Sequence, residues 1–236
     1  MRLSAEALLI MAIFALYMYD LTLLLYRNEV ILSPKGGRDW KVSFGSSQFG
    51  IGGKELFIPN PLMMHQPCFK FSWSLETSIK ETAPRLPRTA FQPVASMLWS
   101  VAFGLFVLVP IGLLTRMGDR ALLVALVMVY GGILVAFILT WLNREKFRLS
   151  TRKFISLAFE SFICPPFALN LVRHLSLNMD FTVDAVNAAY LLQSARRWNI
   201  TRTKFHEILS SEIELEDSGV GRRSLLVARV ESLPSE

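Results

Sequence analysis

Two stretches, Val94–Leu114 and Ala121–Leu142, contain no Asp, Glu, Lys, Arg or His, and only the six residues from Thr115 to Arg120 separate them. Each has about the twenty residues needed to cross a hydrocarbon core about 30 Å thick at about 1.5 Å per residue. In lipid, every backbone N–H and C=O must be satisfied within the segment, so these runs are predicted to be helices. A connection as short as 115–120 allows them only an antiparallel hairpin.

A further apolar block covers 7–26, with Asp20 inside it. A cleavable signal peptide would need a basic start and small residues at the cut. Here Glu6 accompanies Arg2, and Leu23, Leu24, Leu25 and Tyr26 stand where small residues would be required, so the block reads as an uncleaved anchor behind a short tail, 1–6. Composition agrees with a membrane chain. Apolar residues make up 52% and charged residues 19%, against about 25% charged in soluble domains. The expected fold is a membrane α-helical protein with three transmembrane helices. A small antiparallel β unit lies between helices 1 and 2, and an α+β region follows the third helix.

That β unit occupies 27–81. Short β-branched or alternating runs (Val30-Ile31-Leu32, Trp40 to Phe44, Leu56-Phe57-Ile58, Phe69 to Trp73) are punctuated by Pro34-Lys35-Gly36-Gly37, Gly50-Ile51-Gly52-Gly53 and Pro59-Asn60-Pro61, which are turn signals. A Pro-rich extended linker, 82–93, leads back to the membrane. After the third span, 143–178 is basic and juxtamembrane. Within it, Phe154 to Val172 is too broken for a crossing, because Pro165-Pro166 removes two backbone donors and Glu160 adds a charge. Short interfacial helices fit it best, with a re-entrant segment or a fourth crossing as alternatives. The last region, 179–236, has helical spacing over Val183 to Arg197, capped by Asp180 or Thr182, and again from Thr201 to Ser210. From Ile213 to Val230 it alternates like a β-hairpin.

Three crossings place the amino terminus and the 115–120 turn on one side. Arg144, Lys146, Arg148, Arg152 and Lys153 cluster after the third helix, and basic residues near span ends favour the cytoplasmic side. The expectation is therefore a plasma (bacterial inner) membrane protein with its amino terminus outside and its soluble mass cytoplasmic. Those five cations are candidates for anionic headgroups. No nucleic-acid-binding pattern accompanies the net charge of +6, so the expected partners are the bilayer and either other membrane subunits or a second copy.

Chemistry is harder to find. The segment Gly50 to Glu55 lacks both the hydroxyl of a phosphate loop and the third glycine of a dinucleotide fingerprint. His65, His174 and His206 are scattered, Cys68 and Cys164 form no CxxC, and no metal or other cofactor is implied. Asp20 is the single acid inside an expected span, which makes it a functional candidate. Gly104, Gly112, Gly131 and Gly132 are candidates for close helix packing. The expected role is non-catalytic: a scaffold, assembly or regulatory subunit of a membrane complex. One alternative is an oligomeric transporter or channel component using Asp20. Another is a small enzyme acting on lipid near Glu160, Cys164, Arg173 and His174.

Overall fold

The computed structural model describes residues 4–36, 39–75, 82–115, 118–215 and 220–234. The chain mixes helix with small antiparallel sheets and divides into two units: 1–23, 57–67 and 87–179 in one, 24–56, 68–86 and 180–236 in the other.

In the first unit, α1 (Ala5–Leu21) starts where the Ser4 side chain accepts from the Ala7 backbone N–H, with Glu6 in the first turn. Both features suit the positive end of a helix. The helix stops five residues before the apolar block does, because Leu23–Tyr26 is a strand. At 17 residues, α1 is about 25 Å long. Among the described residues two helices are long and apolar enough to cross a membrane, Arg88–Leu114 and Gly118–Leu142.

The first of these is a continuous rod built from α2 (Gln92–Phe103), a π turn (Gly104–Leu108) and α3 (Val109–Leu114). Pro110 explains the π turn. Its ring would strike the carbonyl four residues back, and the widened turn, in which the Val109 N–H donates to Gly104 O, makes room. Against this rod packs α4 (Gly118–Leu142). A Cβ on Gly104 would lie 2.6 Å from Val129 Cγ2, one on Gly112 2.7 Å from Leu122 Cγ, and one on Gly132 2.8 Å from Ser100 Oγ. Those three glycines let the rods touch. Gly131 has open space beside it. Leu123, Val127, Leu134 and Ile138 of α4 are exposed, which makes an apolar outer face.

Beyond α4, α5 (Thr151–Ile163) turns back along it. Phe154 packs on Trp141 and Phe137, and Phe162 on Phe137 and Tyr130, so the two run antiparallel. The helix ends at Cys164, whose φ of −125° and ψ of 82° lie outside the α region that the following proline disfavours. Pro165 and Pro166 then open α6 (Pro165–Ala168), followed by α7 (Leu171–Leu177).

In the second unit, β2 (Glu29–Pro34) is the centre of a sheet ordered β3-β2-β6, with β3 at Trp40–Ser43 and β6 at Phe69–Ser72. Val30, Ile31 and Leu32 are all fully buried, so both faces of the strand are covered. A second sheet is ordered β1-β5-β4: β1 is Leu23–Tyr26, β4 Ser46–Ile51 and β5 Lys54–Phe57. Gly52 and Gly53 form its two-residue turn with φ of +59° and +77°, a conformation that favours glycine.

The structure corrects expectations at both ends of the chain. Leu23–Tyr26 pairs as β1 instead of extending the first helix to Tyr26. The tail is helical where described, with α8 (Ala185–Leu192), α9 (Ala195–Leu215) and α10 (Val220–Glu231) in place of a β-hairpin. The reason is burial at helical spacing: Trp198, Thr201, Phe205 and Leu209 on α9, and Leu226 with Arg229 on α10. Helix α8 ends at Leu192, short of Arg197, and its cap is Asp184, whose carboxylate accepts from Val186 N.

Candidate functional site

Polar side chains meet at one place in the first unit, where the last turn of α1 lies against the start of α7. Tyr17 and Asp20 are three residues apart on α1, while Asn170, Arg173 and His174 occupy i, i+3 and i+4 at α7, so each set lies on one helix face. The Asn170 amide donates to Asp20 Oδ2 at 2.9 Å and accepts from Arg173 Nη1 at 2.6 Å. His174 Nε2 lies 3.1 and 3.2 Å from the two carboxylate oxygens of Asp20. Arg173 is 3% exposed and also donates to Asn60 O at 2.7 Å and toward Tyr17 Oη at 3.5 Å. Tyr17 in turn donates to Pro61 O at 2.5 Å.

Electrostatically this is a bridged arrangement. The guanidinium and the carboxylate do not touch, and a single neutral amide stands between them. Arg173 Nε, buried, has no partner among the described residues.

Cys164 lies near this group. Burial pushes its thiol up, and the negative charge of Asp20 pushes in the same direction, against a backbone hydrogen bond from Phe167 that lowers it. A thiol held up in this way is a poorer nucleophile than a free one at neutral pH. Among the described residues no hydroxyl or thiol hydrogen-bonds the His174 ring.

Other sequence candidates are placed elsewhere. Glu160 accepts from Ser156 Oγ at 2.7 Å. His65 stacks near Trp99, and His206 meets Ser210 Oγ. Of the five cations after α4, Arg144 lies over the Trp141 ring at 4.4 Å, Lys146 donates to Asn143 Oδ1 and Lys153 to Asn178 Oδ1, while Arg148 has a φ of 50° and Arg152 is exposed. Among the described residues no three of His, Cys, Asp and Glu are grouped so that they could hold a metal ion.

Sequence reasoning singled out Asp20 and noted Arg173 and His174, but missed Asn170, Tyr17 and Asn60. The i, i+3, i+4 spacing of Asn170-Arg173-His174, directly after a Pro-broken apolar segment, is the signal that marks α7 as carrying a polar face. Comparison with known protein families, with characterised proteins and with solved structures yields no match.

Proposed function

We propose that this chain is a non-catalytic membrane anchor and scaffold, a subunit that fixes its sheet-bearing unit to a bilayer and offers it to protein partners. One observation carries the reading: the antiparallel pair Arg88–Leu114 and Gly118–Leu142 seals its polar backbone inside and presents Leu123, Val127, Leu134 and Ile138 outward, the arrangement lipid requires. Three crossings complete it, with α1 as the third, the amino terminus outside and the basic cluster after α4 in the cytoplasm. On this reading α5 lies at the bilayer interface against the cytoplasmic half of α4 and breaks off at Pro165-Pro166, and its antiparallel ring contacts support that position. The Asp20 group then acts as polar glue, holding α1 to α7.

Purification in a mild detergent tests the role. A stoichiometric protein partner, or a defined homo-oligomer, is the expected result; a lone monodisperse monomer counts against it. A reporter fused to the carboxy terminus reads the side, and an external reporter overturns the proposed orientation.

A second reading has its own observation. Asp20 is paired with an ionisable imidazole beside a buried guanidinium, and such groups in membranes mark proton or ion paths. In an oligomer with Asp20 on a lumen, Asp20→Asn abolishes flux in reconstituted vesicles; intact flux removes this reading. The lipid-enzyme alternative is tested by Cys164→Ala and His174→Ala, which leave any such activity unchanged if the chain is a scaffold.

A further inference from the structure

The second unit carries a concentration of positive charge that nothing so far explains. Lys35 and Lys41 flank the connection between β2 and β3, and Arg196, Arg197 and Lys204 lie on one face of α9 at i, i+1 and i+8. Together they line a cleft of about 430 Å³, a volume in the range of small-ligand sites. Asp39 neutralises one of them, meeting Arg197 Nε at 2.5 Å while also accepting from Ser194 N. No carboxylate pairs with Lys35, Lys41, Arg196 or Lys204 among the described residues.

Two physical facts speak against an idle solvated face. Four unneutralised cations around one concavity repel one another. Arg196 and Arg197 also stand in the first turn of α9, the positive end of the helix dipole, where a cation is unfavourable. Neither placement helps the fold. Both are relieved by a multiply charged anion, and an anion at a helix N-terminus beside arginine forks is the geometry that phosphate groups adopt. A single carboxylate brings too little charge for four free cations, whereas a phosphate monoester or diphosphate carries close to two charges per group.

We propose that this cleft is a binding site for a phosphate-bearing ligand, held by Lys35, Lys41, Arg196 and Lys204 with Arg197 oriented by Asp39. The phosphate comes either from a lipid headgroup that carries a phosphate monoester, such as phosphatidic acid, or from a soluble phosphate compound. The site lies wholly within the second unit and holds whether or not the chain is a scaffold.

The test uses the full chain in nanodiscs. Inorganic pyrophosphate is titrated against protein in discs of phosphatidylcholine alone, and the thermal stability of the protein is compared between discs with and without phosphatidic acid, whose phosphate is a monoester. Saturable pyrophosphate binding that falls with salt identifies a soluble ligand; stabilisation confined to anionic discs identifies a headgroup. In either arm Arg196→Gln with Lys204→Gln weakens the response about tenfold or more. The pair Arg202→Gln with Arg223→Gln makes the same change in net charge outside the cleft and leaves the response within about twofold, with an unchanged helical circular dichroism spectrum in both variants. Absence of a response in both arms overturns the proposal, as does an equal loss in the two paired variants.

Discussion

Arg173 and Arg229 are both 3% exposed, one in each unit, and their surroundings differ. Arg229 is paired directly with the carboxylate of Asp184, which also caps α8 by accepting from Val186 N and takes a further hydrogen bond from Ser74 N. Arg173 meets only neutral groups: the Asn170 side-chain oxygen, the Tyr17 hydroxyl and the Asn60 carbonyl. The carboxylate that balances it, on Asp20, is one amide away and shared with His174. Among the described residues each guanidinium also leaves its Nε unpartnered, so an orphaned Nε does not separate them. What separates them is where the negative charge sits. A directly paired buried ion is a fixed part of a fold, since removing either partner strands the other. A bridged one leaves its carboxylate committed to two neighbours at once and sensitive to both.

The largest expected effect tests the fixed half of that comparison. Asp184→Ala strands Arg229 and removes the α8 cap together, which costs about 3–5 kcal/mol for the buried charge and about 1 kcal/mol for the cap. Denaturant unfolding followed by the fluorescence of Trp198, which packs against Tyr190 and Phe205, reads the loss. A change below about 1 kcal/mol removes the claim that this pair is structural.

Next comes the packing on which the first unit rests apart from its polar group. Gly132→Val drives a side chain into Ser100 and Val101, both 2.8 Å from where its Cβ would stand, and costs about 1–3 kcal/mol. Gly131→Val, with nothing within 4 Å, leaves thermal stability in detergent unchanged. Equal losses would mean that α4 does not meet the α2–α3 rod through Gly132.

Asp20→Asn is expected to be milder than Asp184→Ala although both remove a carboxylate beside a buried arginine. The new amide still accepts from Asn170, and Arg173 keeps all its direct partners, so the loss is about 1 kcal/mol, the scale of one hydrogen bond. A loss as large as that of Asp184→Ala would show that the Asp20 charge is felt by Arg173 as strongly as a direct pair, and the contrast between the two units would fall.

Much of this architecture is visible in the residues, and its gaps have physical causes. The hairpin is legible because the charge-free runs at 94–114 and 121–142 are each about twenty residues long and only six residues apart. The end of α1 is not, because Leu23-Leu24-Leu25 is as apolar as the helix before it, and only pairing within the β1-β5-β4 sheet makes it a strand. At the carboxy terminus, Ile213-Glu214-Leu215 alternates with period two yet lies in α9, where the longer pattern from Trp198 to Leu209 decides. Asp20 stands out as a lone acid in an oily block. Its partners stand about 150 residues away, and no local pattern links them.

The smallest effect bears on whether the Asp20 charge is still felt outside its own hydrogen bonds. Burial raises the Cys164 thiol above its ordinary range and the Asp20 carboxylate raises it further, because both disfavour a thiolate. Removing that carboxylate in Asp20→Asn lowers the thiol toward its usual value, so the thiolate fraction at any pH below it increases. Alkylation of Cys164 by iodoacetamide, a neutral reagent, is then modestly faster in the variant across mildly alkaline pH, with Cys68 replaced by Ala so that one site reports. The direction matters more than the size. A faster rate places a charged Asp20 carboxylate beside the thiol, as the bridged arrangement requires, whereas an unchanged rate means that charge is not felt there and the two arginine sites are electrostatically alike.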